Sequence, residues 1–303
     1  MNSTASPQSA RSPKHLDEAL ALRADPRWLV LAGGTDVYPA YVGRSIERPI
    51  LDLSAIEALR KIEDRVDSSG RSWVRLGASS TWTQWRARPN EPGLRALHQA
   101  AAEVGGLQIQ NQATIGGNLC NASPAADGVP ALLALGAEVE LSSLRGERRL
   151  PLADFVLGNR RTALASDELL TAVEIPRPSG RAGSAFLKLG HRRYLVISVV
   201  MVAVQIDFDP DEVISACRIA VGSCSAAARR VDRLEARVVG LAASTLQRNL
   251  DRWLVPGGDG VPLIEAAISP IDDVRGTAAY RREAARELIR RALVAALESR
   301  RVH

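Results

Sequence analysis

Two short segments of the 303-residue chain carry a pair of glycines, followed in one by a hydroxyl and an acid and flanked in the other by a hydroxyl and an amide. The first is Val30-Leu31-Ala32-Gly33-Gly34-Thr35-Asp36-Val37, entered from the apolar run that begins at Trp28. The second is Thr114-Ile115-Gly116-Gly117-Asn118, which runs on through Asn121-Ala122-Ser123-Pro124-Ala125-Ala126 to Asp127. Glycines let backbone approach a ligand closely, and successive N–H groups form a concave anion-binding nest. A pyrophosphate suits that chemistry. Two such loops in one domain could grip one diphosphate from two sides, leaving Asp127 to accept a bond from a ribose or a ring N–H. Each segment alone reads equally well as a tight turn, with Asn118 and Asp127 capping it. Neither is a Gly-x-Gly-x-x-Gly fingerprint and none occurs elsewhere, which argues against a Rossmann dinucleotide site.

Other chemistries are poorly served. Cys120, Cys217 and Cys224 are odd in number and widely spaced, no Cys-x-x-Cys pair exists, and His15, His98, His191 and His303 cluster with none of them. A metal site made by this chain alone is not expected; small buried thiols in a reducing compartment are. The net charge of +5 is matched by the stretch from Arg275 onward, with eight arginines against three glutamates. That stretch reads as one amphipathic helix, Thr277 to Arg301, with an apolar stripe through Ala285, Leu288, Ile289, Leu293 and Ala296. Aromatics total only 4%, too few for stacking on bases, so no nucleic-acid partner is expected. With 46% hydrophobic and 24% charged residues the chain is of globular type, and its length suggests two domains. The longest nearly apolar run, Tyr194 to Ile206, falls short of the ~20 residues a membrane span needs. Residues 1–14 have no apolar h-region, so the expected location is cytoplasmic.

The elements around the two glycine segments are short. Residues 1–11 read as a loose tail, and Ser12-Pro13 as the cap and first residue of a helix through Leu16, Ala19, Leu20 and Leu22. Strands are expected at 28–32 and 51–53, and hairpins about Asp67–Gly70 and Arg145-Gly146. Helices should start at Thr81 and Gly93. Residues 105–127, rich in Gly, Asn and Gln and almost uncharged, suit an ordered loop ending at Asp127 as a helix cap. A strand at 169–175 precedes the Pro/Gly-rich stretch 176–183, the best domain boundary. Strands at 185–189, 195–207 and 213–221 follow, then helices near 234–239 and 244–253 and a loop at 256–262 before the basic helix. Strands and helices mix without a βαβ rhythm, which favours α+β.

Taken together, the two loops resemble those of the FAD-binding medium subunit of the molybdenum hydroxylases, the xanthine dehydrogenase, aldehyde oxidase and carbon monoxide dehydrogenase enzymes. The likeness continues, in the family's order, through Asp167-Glu-Leu-Leu-Thr-Ala-Val-Glu-Ile-Pro176, Phe186-Leu-Lys-Leu-Gly190, Arg192-Arg193 before Ile197, Ser269-Pro-Ile-Asp-Asp-Val-Arg-Gly276 and Tyr280-Arg281-Arg282. It covers nearly the whole chain from about residue 12. The resemblance implies an α+β FAD-binding domain of the vanillyl-alcohol oxidase / p-cresol methylhydroxylase type at 12–178 and a smaller α+β C-terminal domain at 184–303. It also implies that Val30 to Val37 and Thr114 to Asn118 hold the FAD pyrophosphate. Asp127, Leu170 and Lys188 then match flavin-site positions, and Ile197 a residue packing near the isoalloxazine face. Lys188 is one of only three lysines in an arginine-heavy chain, though composition alone would make it a solvated strand residue.

Some family features are missing. Many relatives carry an acid where Val196 stands, and some insert a cysteine-rich segment where Asp127 runs straight into Gly-Val-Pro-Ala-Leu-Leu, so an extra cluster is not expected here. The apolar Ile197, in place of a tyrosine found in carbon monoxide dehydrogenase relatives, leans towards the xanthine dehydrogenase side. The implied role is the flavoprotein subunit of a heterotrimeric molybdenum hydroxylase, likewise expected as a dimer of heterotrimers. A large subunit would hold molybdopterin and a small one two [2Fe-2S] clusters, and electrons would leave through this FAD to NAD or another acceptor. No residue of this chain is nominated as a catalytic acid or base, since the chemistry is the cofactor's. A stand-alone FAD oxidase of the same fold and a flavin-free scaffold remain as alternatives.

Overall fold

The computed structural model describes residues 10–193 and 195–300. Strands β1 (Ala10–Arg11), β2 (Leu29–Leu31) and β3 (Ile50–Asp52) form a small parallel sheet in the order β1-β3-β2. Strands β4 (Ile62–Val66), β5 (Ser72–Gly77), β6 (Glu138–Ser143) and β7 (Gly146–Pro151) follow, then the two-stranded β8 (Val156–Gly158) and β9 (Arg161–Thr162), then β10 (Leu169–Pro176). Of these, β4-β5-β10-β6-β7 make one antiparallel sheet. The last sheet takes β11 (Gly183–Leu189), β12 (Val200–Phe208), β13 (Ile214–Gly222) and β14 (Arg229–Arg230) in sequence order, again antiparallel.

Strand β12 shows what joins the two halves. Its side chains alternate across the pleat. Met201 and Ala203 enter a core with Phe186 and the helices Arg95–Glu103 and Gly128–Ala134, whereas Val200, Val202, Val204 and Ile206 pack towards Ile289 and Leu293 of the helix Ala278–Ser299. Buried on both faces, the strand reads in sequence as a nearly apolar run, with no polar residue from Val200 to Val204. The same alternation in β11 turns Ser184, Phe186 and Lys188 towards the N-terminal half. Ser184 Oγ accepts from the Ala96 amide at 2.9 Å and donates to the Pro92 carbonyl at 3.0 Å.

Several sequence expectations need correction. The helix Leu16–Arg23 begins at an His15 cap, three residues beyond Ser12-Pro13, and Ala10-Arg11 pairs with β3 where a loose tail was expected. The rest of that tail, residues 1–9, and Arg301 at the end of the basic helix lie outside the described residues, as does Tyr194. Residues 105–127 are largely helical, as Leu107–Gln112 and Ile115–Asn121, since their small and amide residues pack against neighbouring backbone. Residues 195–199 are no strand: β11 ends at Leu189, so they have no ladder partner beyond the Val199 amide on the Leu189 carbonyl. Part of the loop expected at 256–262 is instead the start of the helix Val261–Glu265.

Candidate functional site

The first glycine loop leaves β2 and lies against the end of the helix Leu107–Gln112. A Cβ on Gly33 would sit 2.0 Å from the Gln112 carbonyl oxygen, so only glycine allows the approach. Gly34 has φ +72°, the left-handed region that glycine enters freely. The amides of Gly33, Gly34, Thr35, Asp36 and Val37 have no acceptor among the described residues. Five successive unpaired donors in one loop make an anion nest.

The second loop is differently built. Thr114 caps the helix Ile115–Asn121, its Oγ1 accepting from the Gly117 amide at 3.0 Å. The Ile115 amide donates to the Ser80 carbonyl (2.9 Å), Gly116 to Ala78 (2.8 Å) and Asn118 to Thr114 (3.0 Å). A Cβ on Gly116 would lie 2.7 Å from both Cβ and O of Ala78, so this glycine seats the helix on the segment after β5.

Both loops open on one trough. A cavity of about 540 Å³ is lined by Val30, Ala32 to Val37, Thr114, Gly116, Gly117, Asn118, Cys120, Leu169 and Leu170. A larger one of about 1080 Å³ is lined by Asp127, by Leu195 to Ser198, and by Ser223, Asp273 and Arg281. Asp36, Val104, Ile109, Asn118 and Asn121 line both, so the two are continuous. At the junction Asn121 donates to Asp36 (2.9 Å) and accepts from Arg160, tying the first loop to the turn between β8 and β9.

Asp127 occupies the cap position of Gly128–Ala134 without capping it, a correction to its sequence reading. Its Oδ2 accepts from Lys188 Nζ at 2.8 Å and its Oδ1 from Ser198 Oγ at 2.7 Å. Lys188 Nζ also donates to the Glu103 carbonyl at 3.2 Å. Burial pushes the Asp127 carboxyl above the usual carboxylate range, opposed by the Lys188 ammonium and the Ser198 hydroxyl. Lys188 therefore stands behind Asp127, in a buried ion pair, and not at the cavity surface or in solvent.

Of the residues singled out by sequence, the structure brings Val30, Ala32, Gly33, Gly34, Thr35, Asp36, Val37, Thr114, Gly116, Gly117, Asn118, Asp127, Leu170 and Ile197 to the trough. The side chains of Leu31 and Ile115 are buried and line neither cavity. The sequence reading missed Asn121, Ser198, Ser223, Asp273 and Arg281 as cavity residues. Asn121, Asp273 and Arg281 lay within quoted motifs, but nothing in their local spacing announces a site, because strands β11 to β13 and the last helix bring this wall together.

A cofactor with a diphosphate and a fused polar ring meets its needs here. The nest supplies donors, the Oδ1 of Asn118 and the Oγ of Ser79 are buried without a partner among the described residues, and the two continuous cavities give room for two ends. Comparison with known proteins settles the family. The model of the FAD binding domain in molybdopterin dehydrogenase matches residues 7–178, and that of the CO dehydrogenase flavoprotein C-terminal domain matches residues 185–296. The chain belongs to the FAD-binding subunits of the molybdenum hydroxylases.

Both glycine loops, Asp127 and Leu170 fall within the matched FAD binding domain, and Lys188, Ile197, Ser223 and Arg281 within the matched C-terminal domain. The nicotinate dehydrogenase FAD-subunit of Eubacterium barkeri is 41% identical over 198 residues, which is 62% of this chain and 65% of that one. The match thus spans just under two thirds of that relative. The nicotine 6-hydroxylase medium subunit of Paenarthrobacter nicotinovorans is 31% identical over 292 residues, 94% of this chain and 95% of that one. Among solved structures, carbon monoxide dehydrogenase from Oligotropha carboxidovorans superposes with a TM-score of 0.84 at 27% identity, covering 97% of this chain and 99% of that one. The mixed α/β fold with a second, C-terminal domain agrees with the sequence reading. No helix among the described residues is long and apolar enough to cross a membrane.

Proposed function

We propose that this flavoprotein subunit is the electron outlet of a xanthine dehydrogenase-like hydroxylase acting on N-heteroaromatic compounds. The observation that carries the proposal is the run of five unpaired amides at 33–37, opening on a trough that continues to Asp127 and Ile197. In this reading Val30 to Val37 and Thr114 to Asn118 hold the pyrophosphate, Leu170 packs at the adenosine end in the smaller cavity, and Ile197 packs against the ring system in the larger. Asp127 accepts a ring N–H, and Lys188 with Ser198 keeps its carboxylate oriented. FAD supplies the conversion between single-electron delivery and two-electron release. The protein's own residues bind it, exclude water with Val104, Ile109 and Ile197, and fix the ring's polar edge.

The partners in this proposal are a large molybdopterin subunit and a small subunit with [2Fe-2S] clusters, in a dimer of heterotrimers in the cytoplasm, with NAD as the final acceptor. Relatives named for nicotinate, xanthine, nicotine and caffeine support the substrate class. Purification of the tagged chain from its host tests the reading. It should bring down two further subunits holding molybdenum and iron, contain one FAD per chain, and reduce NAD with an N-heteroaromatic substrate. A chain that carries FAD, travels alone and turns over alone would be the stand-alone oxidase, and a flavin-free complex the scaffold.

A further inference from the structure

Most buried polar side chains among the described residues are paired. Among the exceptions, Ser223 Oγ and Arg281 Nε share one wall of the larger cavity, at the end formed by the C-terminal domain. The two are neighbours, since Arg281 Nη1 donates to the Ser223 carbonyl at 2.9 Å. A buried donor left unmade costs about 1–3 kcal/mol, so two side by side on a cavity wall point to a ligand acceptor.

Both donors are held in place by other bonds. Arg281 is 2% exposed on the helix Ala278–Ser299. Its Nη1 also donates to the Val199 carbonyl at 2.6 Å, and its Nη2 meets Asp273 Oδ1 at 2.6 Å. The guanidinium is thus fixed by three acceptors that leave Nε–H over. Ser223 follows β13 with φ +61°, a left-handed conformation that is costly for serine, and its amide donates to the Pro124 carbonyl at 3.0 Å. Non-glycine residues in that region persist where surrounding bonds over-determine them, often at ligand sites. The remaining acid on this wall, Asp273, is already shared by Arg281 and Arg275 (Oδ2 to Nη1 2.7 Å), so the wall presents donors and no free carboxylate.

We infer that Ser223 and Arg281 form a carbonyl-oxygen site that holds, in the working enzyme, an oxygen whose negative charge grows when its ring takes up electrons. The inference rests on the FAD reading above. Two sources carry such an oxygen: the dione edge of the bound flavin and the carboxamide of a nicotinamide acceptor. Charge-assisted bonds to the electron-rich form are stronger than those to the neutral form, so this pair of positioning residues favours the reduced flavin or the bound acceptor.

The test uses the purified heterotrimer. Ser223→Ala and Ser223→Gly delete a hydroxyl that makes no bond among the described residues, and the glycine form also relieves the backbone, so both should fold. Arg281→Lys keeps the charge and deletes Nε–H. FAD content is measured after acid extraction, the flavin midpoint potential without acceptor, and KM and kcat with NAD. If the flavin is the source, all three variants lower the potential, by about 30 mV for a tenfold weaker hold on the two-electron-reduced form, or lose FAD. If the acceptor is the source, the potential stays and KM for NAD rises about tenfold. Stoichiometric FAD with both potential and KM unchanged in the Ser223 variants overturns this inference alone. A flavin-free wild-type complex would overturn the functional reading, and this inference with it.

Discussion

The loop at 33–37 leaves its five amides without an acceptor among the described residues, while the loop at 114–118 gives its amides to Ser80, Ala78 and Thr114. In sequence each carries a glycine pair with a threonine and a polar residue close by. In the fold they divide the task. The first loop offers donors to a ligand; the second fixes a helix against β5 and offers the Asn118 side chain instead. A glycine pair is therefore no evidence of phosphate binding until its amide bonds have been traced. Even within the first loop the two glycines differ, Gly33 serving contact with Gln112 and Gly34 serving the turn.

That difference predicts the largest effect. Gly33→Ala places a Cβ 2.0 Å from a backbone oxygen that cannot swing aside, so the strand and the helix Leu107–Gln112 must part. The expected cost is about 3 kcal/mol with loss of FAD, because the clash is inside the protein and not with the ligand. Gly34→Ala meets only the ring of Tyr38, which is 57% exposed and free to move, and adds about 1 kcal/mol of left-handed strain. It should keep the fold and bind FAD more weakly. Thermal unfolding and flavin content of both variants check this; equal damage from the two would erase the distinction.

The next effect concerns the ion pair behind the cavity. Asp127→Asn strands the buried Lys188 ammonium and should cost about 3–5 kcal/mol. Lys188→Met should cost less, since the carboxyl left behind can take a proton. Burial already raises the Asp127 pKa, and removing the opposing ammonium raises it further. The folded variant then holds a proton that the unfolded chain has released. Its stability is retained in acid and lost as pH rises through the raised pKa. Denaturant unfolding of Lys188→Met should therefore fall further behind wild type at about pH 8 than at about pH 5. A deficit that is flat, or larger in acid, would mean that the carboxylate is not held as described. The double variant should recover much of the loss of Asp127→Asn.

How much of this was legible in the sequence depended on whether the cause was local. The hairpin closed by Asp67 reads directly, because its carboxylate accepts from the Ser69 and Arg71 amides within the turn itself. The cap at Thr81 reads equally well, since Gln84 completes a capping box three residues on. The apolar stripe of the last helix, Ala285 to Ala296, is buried as its spacing requires. Lys188 shows the opposite case. Composition alone makes it a solvated strand residue, and it was the family resemblance that matched it to a flavin-site position. Its burial follows from the parity of β11 and from Asp127, 61 positions away. Arg281 and Ser223 were hidden for the same reason: their pairing needs β12, β13 and the terminal helix all in place.

The smallest effect tests whether the smaller cavity is an end of the cofactor trough. Cys120 lines it and is exposed on it. Cys217 and Cys224 lie in the core around β12 and β13 and should not react in the folded protein. Prolonged iodoacetamide treatment of the FAD-depleted complex should modify Cys120 alone, and bound FAD should suppress that modification. Cys120→Ala should change FAD affinity by no more than a few-fold, since it removes one sulfur that makes no hydrogen bond among those described, and should leave the iron content unchanged. Equal labelling of Cys120 with and without FAD would show that the smaller cavity stays empty when the cofactor binds. The free amides of the first loop would then need a different ligand from the one that fills the larger cavity.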